Sequence, residues 1–571
     1  MIIRYITVTL LLIGVAGCKT SKIPSTPVAV TPYNYKIEKR KLVQNGAVVS
    51  AHPLASEVGI QVLKAGGNAV DAAIATQLAL AVVYPGAGNI GGGGFMVAAL
   101  SDGKQLAIDY REKAPGTAFK DMYLDKDGNA DVSKSQNGHL AAGVPGTIAG
   151  LFKAHKYGKL PFTALIQPAI DLCENGFVLT AAEARGLNGS QEEFNKYNTV
   201  IPVFVNAGKW KAGDTLYQHD LAKTLIRIRD NGSKGFYEGE TAKLIVEEMK
   251  RSNGIISYDD LKNYDAVERT ASAFTYKGYE IITMPLPSSG GVLLPQMMKM
   301  IEDKPVATYG FQTLRSVQLM TEIERRAYAD RAQFLGDVDF VKVPVKTLTS
   351  DAYAKARMAD YNPSKAGNST AIGAGNISES EETTHLSVYD KDGNAVAVTT
   401  TLNGGYGSHT VVGGAGFLLN NEMDDFSVKP GVANMYGALG TTANAISPGK
   451  RMLSSMTPTI VLKNGKPYIV VGTPGGTTIT TSVFQSLINL LEFKMTPYDA
   501  VNKPKFHHQW MPDEIYVENG FAPATVTQLK AMGYKINSRG AIGRTELIVI
   551  NEDGKIEAIA DNRGDDHASG W

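Results

Sequence analysis

TTHLSVYDKDGNAVAVTTT, residues 383–401, is the stretch that decides the predicted fold class. Its two β-rich runs flank Asp392-Gly393, and an Asp-Gly pair between two such runs is the signature of a β-hairpin. Hairpins build antiparallel sheets, whereas parallel sheets need alternating strands and helices. The pattern of strand, turn and strand recurs around three further turns: Asp102-Gly103, Asn464-Gly465 and Asp553-Gly554.

Helical periodicity fills the regions between the hairpins. Residues 54–84 carry apolar side chains at helical spacing, and Gly66-Gly67-Asn68 divides this run into two helices. Residues 145–360 are also mostly helix-like. The sequence therefore predicts an α+β protein in which helices cover antiparallel sheets. The apolar residues expected on one face of the second helix are Val70, Ile74, Leu78 and Val82.

A polar segment leads into the quoted hairpin. Residues 364–382 are rich in Gly, Ser, Asn and Ala and end in Glu, with little to bury. A polar segment joined to a rigid strand is a place where a chain can be cut without loss of its fold. The junction before Thr383 is therefore a candidate cleavage site, and an ordinary interdomain linker is the alternative that the pattern leaves open.

The composition fits a soluble globular protein and excludes nucleic acid as a partner gathered by charge. The 571 residues carry 57 Lys and Arg against 56 Asp and Glu, and 43% are hydrophobic. A net charge of +1 provides no concentrated basic face. Only Cys18 and Cys173 are present, so we expect no internal disulfide framework, and Cys173 is predicted to be a small buried apolar residue.

The first 18 residues are predicted to be a signal peptide. An apolar run from Ile6 to Val15 is too short for a membrane-spanning helix, which needs about 20 residues. The string Val15-Ala16-Gly17-Cys18 resembles a bacterial lipobox, in which the cysteine becomes the lipidated N-terminus. Residues 19–44 would then be a tether, and the protein would be periplasmic and lipid-anchored to a membrane, the outer one in a Gram-negative host. A plain secretory signal is the alternative.

Several familiar motifs fail on context or are absent. Residues 86–91 match G-x-G-x-x-G, but a helix precedes them and a strand follows, the reverse of a dinucleotide site. The sequence contains no G-x-S-x-G elbow, Walker lysine motif, H-E-x-x-H or C-x-x-C pair. The adjacent His507-His508 are predicted to point to opposite faces of a strand and to be structural.

A few polar features are left as candidates for chemistry. Thr383 follows the polar segment, Ser454-Ser455 lies in a Pro- and Ser-rich stretch, and Gly475-Gly476 follows a strand. Two glycines after a strand can turn consecutive backbone N–H groups toward one point, as in an oxyanion hole. Each feature also fits ordinary turn chemistry, so spacing alone leaves open whether the protein is an enzyme.

Long motifs along the chain carry a family resemblance. They are IGGGGF at 90–95, DYRE at 109–112, PSSGG at 287–291, the run at 451–458 and FHHQW at 506–510. Together with the string from Thr383 to Asp425, these motifs resemble those of the γ-glutamyltranspeptidases, which belong to the N-terminal nucleophile hydrolase superfamily. The resemblance extends over nearly the whole chain from Asn45, and so many motifs in one order make it highly specific.

The resemblance implies a four-layer αββα sandwich of two antiparallel sheets and a precursor that cuts its own Glu382–Thr383 bond. The heavy subunit would be residues 45–382, with 364–382 as the processing linker, and the light subunit residues 383–571. The two subunits would stay packed as one core. Thr383 would be the nucleophile in both self-cleavage and turnover, and its freed α-amine, with a reference pKa of about 8, would be the base.

The resemblance also implies roles for individual residues. Thr401 would orient the Thr383 hydroxyl, and the Gly475 and Gly476 amides would stabilise the oxyanion. A zwitterionic γ-glutamyl end would need an anion clamp and a cation clamp about one amino-acid width apart. The residues implied for the α-carboxylate are Arg111, Ser454 and Ser455, those for the α-ammonium are Asn403, Glu422 and Asp425, and Tyr436 would close a lid toward Asn403.

The implied reaction moves a γ-glutamyl group from glutathione or another γ-glutamyl amide to water, an amino acid or a peptide, with no metal or organic cofactor. Glu422 stands where family members have Glu or Gln, and a carboxylate there would add a second negative charge near Asp425. The alternatives are a related glutaryl-cephalosporin acylase, an enzyme that transfers poly-γ-glutamate capsule, and a surface lipoprotein without catalysis. Arg111, Asp425 and the lid-like segment favour a free amino-acid head group over the related enzymes. Intact Thr383, Thr401, Gly475 and Gly476 argue against a lipoprotein without catalysis.

Overall fold

Two seven-stranded antiparallel sheets form the centre of the computed structural model, which describes residues 31–373, 382–429 and 441–571. Within those ranges the strands are β1 (Arg40–Val43), β2 (Ala47–Ser50), β3 (Gly93–Ala99), β4 (Gln105–Asp109), β5 (Phe177–Val178), β6 (Thr215–Leu216), β7 (Val267–Arg269), β8 (Ser272–Tyr276), β9 (Tyr279–Thr283), β10 (Glu382–Tyr389), β11 (Ala395–Asn403), β12 (Thr459–Lys463), β13 (Lys466–Gly472), β14 (Phe506–His507), β15 (Ile515–Glu518), β16 (Ile536–Arg539), β17 (Glu546–Ile550), β18 (Ile556–Ile559) and β19 (His567–Gly570). One sheet has the order β1-β18-β17-β13-β12-β9-β8, and the other β19-β2-β10-β11-β3-β4-β7.

The helices lie outside these sheets and between their strands in sequence. They are α1 (Pro53–Lys64), α2 (Ala69–Val83), α3 (Ser133–Gln136), α4 (Thr147–His155), α5 (Phe162–Asn175), α6 (Ala181–Gly189), α7 (Gln191–Tyr197), α8 (His219–Asn231), α9 (Lys234–Tyr237), α10 (Gly239–Arg251), α11 (Tyr258–Lys262), α12 (Gly290–Glu302), α13 (Val306–Tyr309), α14 (Leu314–Phe334), α15 (Val345–Leu348), α16 (Asp351–Arg357), α17 (Ser369–Ile372), α18 (Thr478–Leu491), α19 (Pro497–Asn502) and α20 (Pro523–Ala531). Short 3-10 helices span His139–Ala141, Glu422–Asp425 and Thr442–Asn444.

All four predicted hairpins are confirmed. They are the antiparallel pairs β3–β4, β10–β11, β12–β13 and β17–β18. The Asn464 backbone is left-handed, with φ of 53°, and φ of the following Gly465 is 75°, as a tight two-residue hairpin turn requires. The turn residues therefore indicated the antiparallel pairing correctly.

The two sheets pack face to face and are covered by helices, which gives the expected four layers. A central apolar layer combines Val97 and Ala397 from one sheet with Val470 and Ile548 from the other. A second core joins one sheet to helices that include α2 and α5. A third joins the other sheet to helices that include α12, α14 and α18. The α+β sandwich predicted from the resemblance is confirmed.

Residues 54–84 form two helices, as predicted. The Asn68 side chain accepts the amides of Val70 and Asp71, while the Asp71 carboxylate accepts the Asn68 amide, so a capping box begins α2. Every residue of α2 is buried, so the expected burial of one face describes only part of this helix. Cys173 is buried in α5, and burial raises the pKa of its thiol well above the ordinary value.

The C-terminal end of the tether predicted over residues 19–44 is part of a sheet in the structure. Arg40–Val43 form β1, which pairs with β18 at the edge of a sheet. Just before it, Lys39 Nζ donates to the backbone oxygens of Asp561, Gly564 and Asp566 at 2.7–2.8 Å. The sequence reading missed this segment because its Lys-rich composition concealed a short edge strand. Cys18 and residues 19–30 lie outside the described residues.

The first half of the predicted linker 364–382 is also ordered. Ser369 begins α17 and is buried, its carbonyl oxygen accepts Trp510 Nε1 at 2.8 Å, and its amide donates to Asp513 at 2.8 Å. Arg325 also contacts both Ser369 and Asp513. The FHHQW motif thus holds the chain just before the predicted cleavage site, while residues 374–381 lie outside the described part.

Lys39→Ala is expected to lower the free energy of unfolding by about 1–3 kcal/mol, because three backbone carbonyl oxygens lose their donor. Lys41→Ala is the matched control: its contact is an exposed pair with Glu38, so a change below about 0.5 kcal/mol is expected. Denaturant unfolding of both variants measures the difference. Equal stabilities would contradict a stabilising role for the three Lys39 contacts.

Candidate active site

Thr383 lies at the start of β10, in the layer between the two sheets. Side chains alternate along a strand, and Leu386 and Val388 pack into the core on the helical side. Thr383 and His385 therefore face the opposite sheet, where the His385 ring lies so close to Gly472 that a Cβ there would be 2.2 Å from it. The Thr383 residue is 7% exposed.

The strand pairing places Thr383 opposite Thr401 on β11. Directly opposed residues of an antiparallel pair present their side chains on the same face. One residue earlier Glu382 pairs with Asn403, so the register skips Leu402 at a β-bulge. Asn403 has a left-handed backbone with φ of 73°, a strained conformation for a residue with a Cβ. The Glu382–Thr383 bond thus lies at an irregular point of the sheet.

The glycine-rich segment between α2 and β3 contacts the edge of β11 that faces away from β10. Asn89 Nδ2 donates to the Thr401 carbonyl oxygen at 2.9 Å, and Asn89 Oδ1 accepts the Gly92 amide at 3.1 Å. A Cβ on Gly92 would lie 2.1 Å from the Thr401 oxygen, so glycine is required there. The segment that matched a dinucleotide fingerprint therefore holds Thr401 in place.

Arg111, which follows β4, is 1% exposed and contacts three carboxyl groups. Its guanidinium lies 2.7 Å from Glu422 Oε2 and 3.5 Å from Glu112 Oε2, and it pairs with Asp425 Oδ2. The expected gap of one amino-acid width between the anion and cation clamps is therefore wrong for this cavity. Buried opposite charges close on one another because each would otherwise lack compensation.

Burial raises the pKa of all three carboxyl groups around Arg111, while the guanidinium charge opposes the shift. The pKa of Glu112 rises to about 8, so Glu112 is mainly protonated at neutral pH. The pKa of Glu422 rises well above its ordinary value, which disfavours the second negative charge expected there. One buried guanidinium does not compensate three negative charges, so the cavity resists full ionisation.

Side-chain amides connect the acidic 3-10 helix Glu422–Asp425 to its surroundings. Asn421 Oδ1 accepts the Gly404 amide at 2.8 Å, and the Asn421 carbonyl oxygen accepts Asn403 Nδ2 at 3.0 Å. On the other side, Asn444 Nδ2 donates to the Asp425 carbonyl oxygen at 2.6 Å, and Asn444 Oδ1 accepts the Leu453 amide at 3.0 Å. These contacts link β11, the acidic residues and the serine segment.

The Ser454-Ser455 segment is held by the PSSGG motif that leads into α12 and includes its first two residues. The Ser454 amide donates to the Pro287 carbonyl oxygen at 2.9 Å, and the Ser289 amide donates to the Ser454 carbonyl oxygen at 2.6 Å. Both serines at 454 and 455 are 2% exposed. Backbone pairing between distant segments therefore orients these hydroxyl groups.

Gly475 and Gly476 lie between β13 and the N-terminus of α18. Their φ angles are 133° and 57°, and a Cβ on Gly475 would lie 2.4 Å from Thr478 Oγ1. Free amide groups at a helix N-terminus favour negative charge. The position fits the predicted oxyanion role.

The structure brings most of the predicted site residues to one cavity of about 10 Å³, room for about one water molecule. The predicted residues that line it are Arg111, Thr383, Thr401, Asn403, Glu422, Asp425, Ser454, Ser455 and Gly476. Met456 and Ile479, which were not predicted, complete the lining. Gly475 is adjacent but is not part of the lining. Tyr436 lies outside the described residues.

Sequence reasoning missed several residues around this cavity. His385 is buried, and burial lowers its pKa to about 3, so the ring is neutral. Its nitrogens bond to Thr399 Oγ1 at 2.8 Å and Ser387 Oγ at 3.1 Å, so its role here is structural. Asn89, Asn421 and Asn444 act through backbone contacts, which leave no signature in residue spacing. His507 and His508, predicted to be structural, are buried and bonded to Thr481 and Asp513.

Across the three described ranges, no group of His, Cys, Asp or Glu side chains is arranged to hold a metal ion. Within the same ranges, no helix combines the length and apolar character needed to cross a membrane.

Comparisons with known proteins agree with the geometry. The sequence matches the family profile Gamma-glutamyltranspeptidase over residues 55–571. It is 45% identical to the glutathione hydrolase proenzyme of Escherichia coli (strain K12), over 100% of this chain and 99% of the relative. It is 36% identical to the Acylase ACY 1 proenzyme of Pseudomonas sp. (strain SE83), over 91% and 92%. The crystal structure of cephalosporin acylase from Bacillus halodurans superposes with a TM-score of 0.81 at 25% identity, covering 95% of this chain and 98% of that chain.

Glu112→Gln is expected to flatten the pH dependence of stability between about pH 4.5 and pH 8. The model-compound pKa is 4.5 and the folded value is about 8, so in this window the folded protein binds more protons than the unfolded chain. Stability conferred by protonated Glu112 is then complete below pH 4.5 and is lost as the pH rises toward 8. Melting temperatures of both proteins from pH 4.5 to 8.5 test this, and parallel curves would contradict it.

Proposed function

The chain belongs to the γ-glutamyltranspeptidase family, and from this premise we propose that Thr383 acts twice, first to cut its own chain and then to carry the γ-glutamyl group. The family membership makes the protein a γ-glutamyltransferase and glutathione hydrolase. The observation that supports the assignment of residues is the cavity in which Thr383 and Thr401 meet Arg111 and Asp425.

Self-cleavage uses the hydroxyl of Thr383 against the preceding carbonyl group. The oxygen attacks the Glu382 carbonyl carbon, the C–N bond breaks, and the Thr383 nitrogen takes a proton to become a free amine. Water then hydrolyses the resulting ester, which restores the hydroxyl and leaves a carboxylate on Glu382. The β-bulge supports the step, because it places the Glu382–Thr383 bond at an irregular point of the strand ladder.

Turnover follows with the same oxygen and a new base. The free α-amine of Thr383, with a reference pKa of about 8, takes the hydroxyl proton as the oxygen attacks the γ-carbonyl carbon of the donor. The Gly475 and Gly476 amides donate hydrogen bonds to the oxyanion. In comparable sites each such donor lowers the activation free energy by about 3 kcal/mol. The donor amine leaves with a proton, and water or an acceptor amine takes the γ-glutamyl group from Thr383.

The charged groups of the donor's amino-acid end replace the contacts that Arg111 makes with Asp425 and Glu422. Its α-carboxylate takes the Arg111 guanidinium, together with the Ser454 and Ser455 hydroxyls. Its α-ammonium takes Asp425 and Glu422, which Arg111 contacts directly in this cavity. A zwitterion therefore inserts into the pair without leaving a buried charge uncompensated.

The same reasoning separates this protein from the acylases in its family. A glutaryl group has no α-ammonium, so it would leave Asp425 without a cation when its own carboxylate took Arg111. Buried unpaired charges are costly. The combination of Arg111 with Asp425 therefore supports a free amino-acid head group.

The heavy subunit, 45–382, and the light subunit, 383–571, would remain one body after cleavage. β10 of the light subunit lies between β2 of the heavy subunit and β11 of its own chain, and β11 pairs with β3. Export by the signal peptide 1–18 and lipidation at Cys18, with anchoring on the periplasmic side of a membrane, complete the proposal and rest on the N-terminal sequence alone.

Thr383→Ala is expected to abolish both processing and turnover, because neither reaction has its nucleophile. Thr383→Ser, which keeps a hydroxyl, is the control and should process at a reduced rate. A denaturing gel with intact-mass measurement shows whether a light chain begins at residue 383. A processed Thr383→Ala chain would sink the assignment.

Asp425→Ala is expected to raise the KM for a γ-glutamyl anilide by about 100-fold or more, because a buried charged contact to the ammonium is lost. Processing should be much less affected, since no ammonium has to be bound in that step. Steady-state kinetics on processed enzyme give the KM. An unchanged KM would remove Asp425 from donor recognition.

A further inference from the structure

A second buried guanidinium, that of Arg331, lies behind the two serines of the cavity. Arg331 is on α14 and is 1% exposed. Its Nε donates to Ser289 Oγ at 3.0 Å, and Ser289 Oγ lies 3.4 Å from Ser455 Oγ. Arg331 thus reaches the lining residue Ser455 through one hydroxyl group.

Hydrogen-bond direction follows from this arrangement. A guanidinium is only a donor, so Ser289 Oγ must accept from Arg331 and has its own proton free to give. Ser455 Oγ is a hydrogen-bonding neighbour of that hydroxyl. If Ser455 accepts there, its own proton is available to the cavity that it lines. With Ser289 as the donor in the 3.4 Å contact, the chain of donors would run from Arg331 to Ser289 to Ser455, and each bond would polarise the next.

The charge of Arg331 also acts on the cavity. Burial lowers its pKa to about 10, Asp425 opposes that shift and Arg111 adds to it, so Arg331 is charged at neutral pH and its field reaches both site residues. A second cation near Asp425 favours ionised Asp425 and favours an anion beside Ser455.

We propose that Arg331 is a positioning residue for the donor α-carboxylate, because it fixes Ser455 as a hydrogen-bond donor through Ser289. The inference rests on the proposed function, in which Ser455 contacts that carboxylate. Arg325 and Arg326, on the same helix, instead contact Glu322 and point to Asp513 and Asp360. The Nε contact of Arg331 with Ser289 leads instead to the cavity wall.

The test compares two donor substrates on processed enzyme whose concentration is set by active-site titration. One is γ-glutamyl-p-nitroanilide, and the other is 4-aminobutyryl-p-nitroanilide, which keeps the ammonium and the scissile amide but lacks the α-carboxylate. Ser289→Ala breaks the relay and leaves Arg331 in place. Ser288→Ala is the matched control, since Ser288 Oγ donates to the Met456 carbonyl oxygen at 2.6 Å and is not in the relay.

Ser289→Ala is expected to raise the KM for the γ-glutamyl donor by about tenfold with kcat within about twofold, the effect of one hydrogen bond to a charged group. Its kcat/KM for the 4-aminobutyryl donor should equal that of the wild type. Arg331→Met should show the same selective loss, and the double variant should add nothing further because both changes break one chain of bonds.

Equal losses on both donors, an unchanged KM in Ser289→Ala, or the same KM change in Ser288→Ala would each overturn the proposal. If Arg331→Met does not process, the Ser289→Ala result alone decides. Any of those three results would contradict the role of Arg331 and leave the proposed function of the wild-type protein unaffected. Absence of γ-glutamyl-p-nitroanilide cleavage by the wild type would instead contradict the proposed function.

Discussion

Burial of the β10–β11 hairpin on both faces is the constraint on which the other features depend. Leu386 and Val398 belong to the core on the helical side, so Thr383, at odd spacing from Leu386, has to face the opposite sheet. A shift of β10 by one residue in the pairing would turn Thr383 toward the helices and turn Leu386 away from the core on the helical side. The register that satisfies the core therefore also sets the direction of the Thr383 side chain, the proposed nucleophile.

The same central position accounts for how the chain would stay folded after the proposed cut. β10 is paired along its length with β11, and its second half is also paired with β2. The proposed cleavage before Thr383 would remove one covalent bond at the end of a strand and would leave this pairing in place. On the other side of that bond, α17 is held by Trp510 and Asp513, so the chain is fastened just upstream of the residues that lead to the cut.

Charge balance governs the rest of the cavity. Arg111 is surrounded by Glu112, Glu422 and Asp425, and burial favours the neutral form of each acid. A ligand that brings one negative and one positive charge can exchange with the Arg111–Asp425 pair without changing the total charge. The amide groups of Asn421 and Asn444 hold the acidic 3-10 helix in position for that exchange, and Arg331 adds a positive charge behind the serines.

The sequence by itself determined the hairpins, the α1–α2 pair and, through long motifs, the family and most of the lining residues. These features depend on local turn chemistry and on residue order, which a linear pattern preserves. Sequence reasoning did not find β1 within the supposed tether, the direct Arg111–Asp425 contact, or the supporting roles of Asn89, Ser289 and Arg331. Those depend on which distant segments meet and on how deeply charges are buried, and only the tertiary structure decides either.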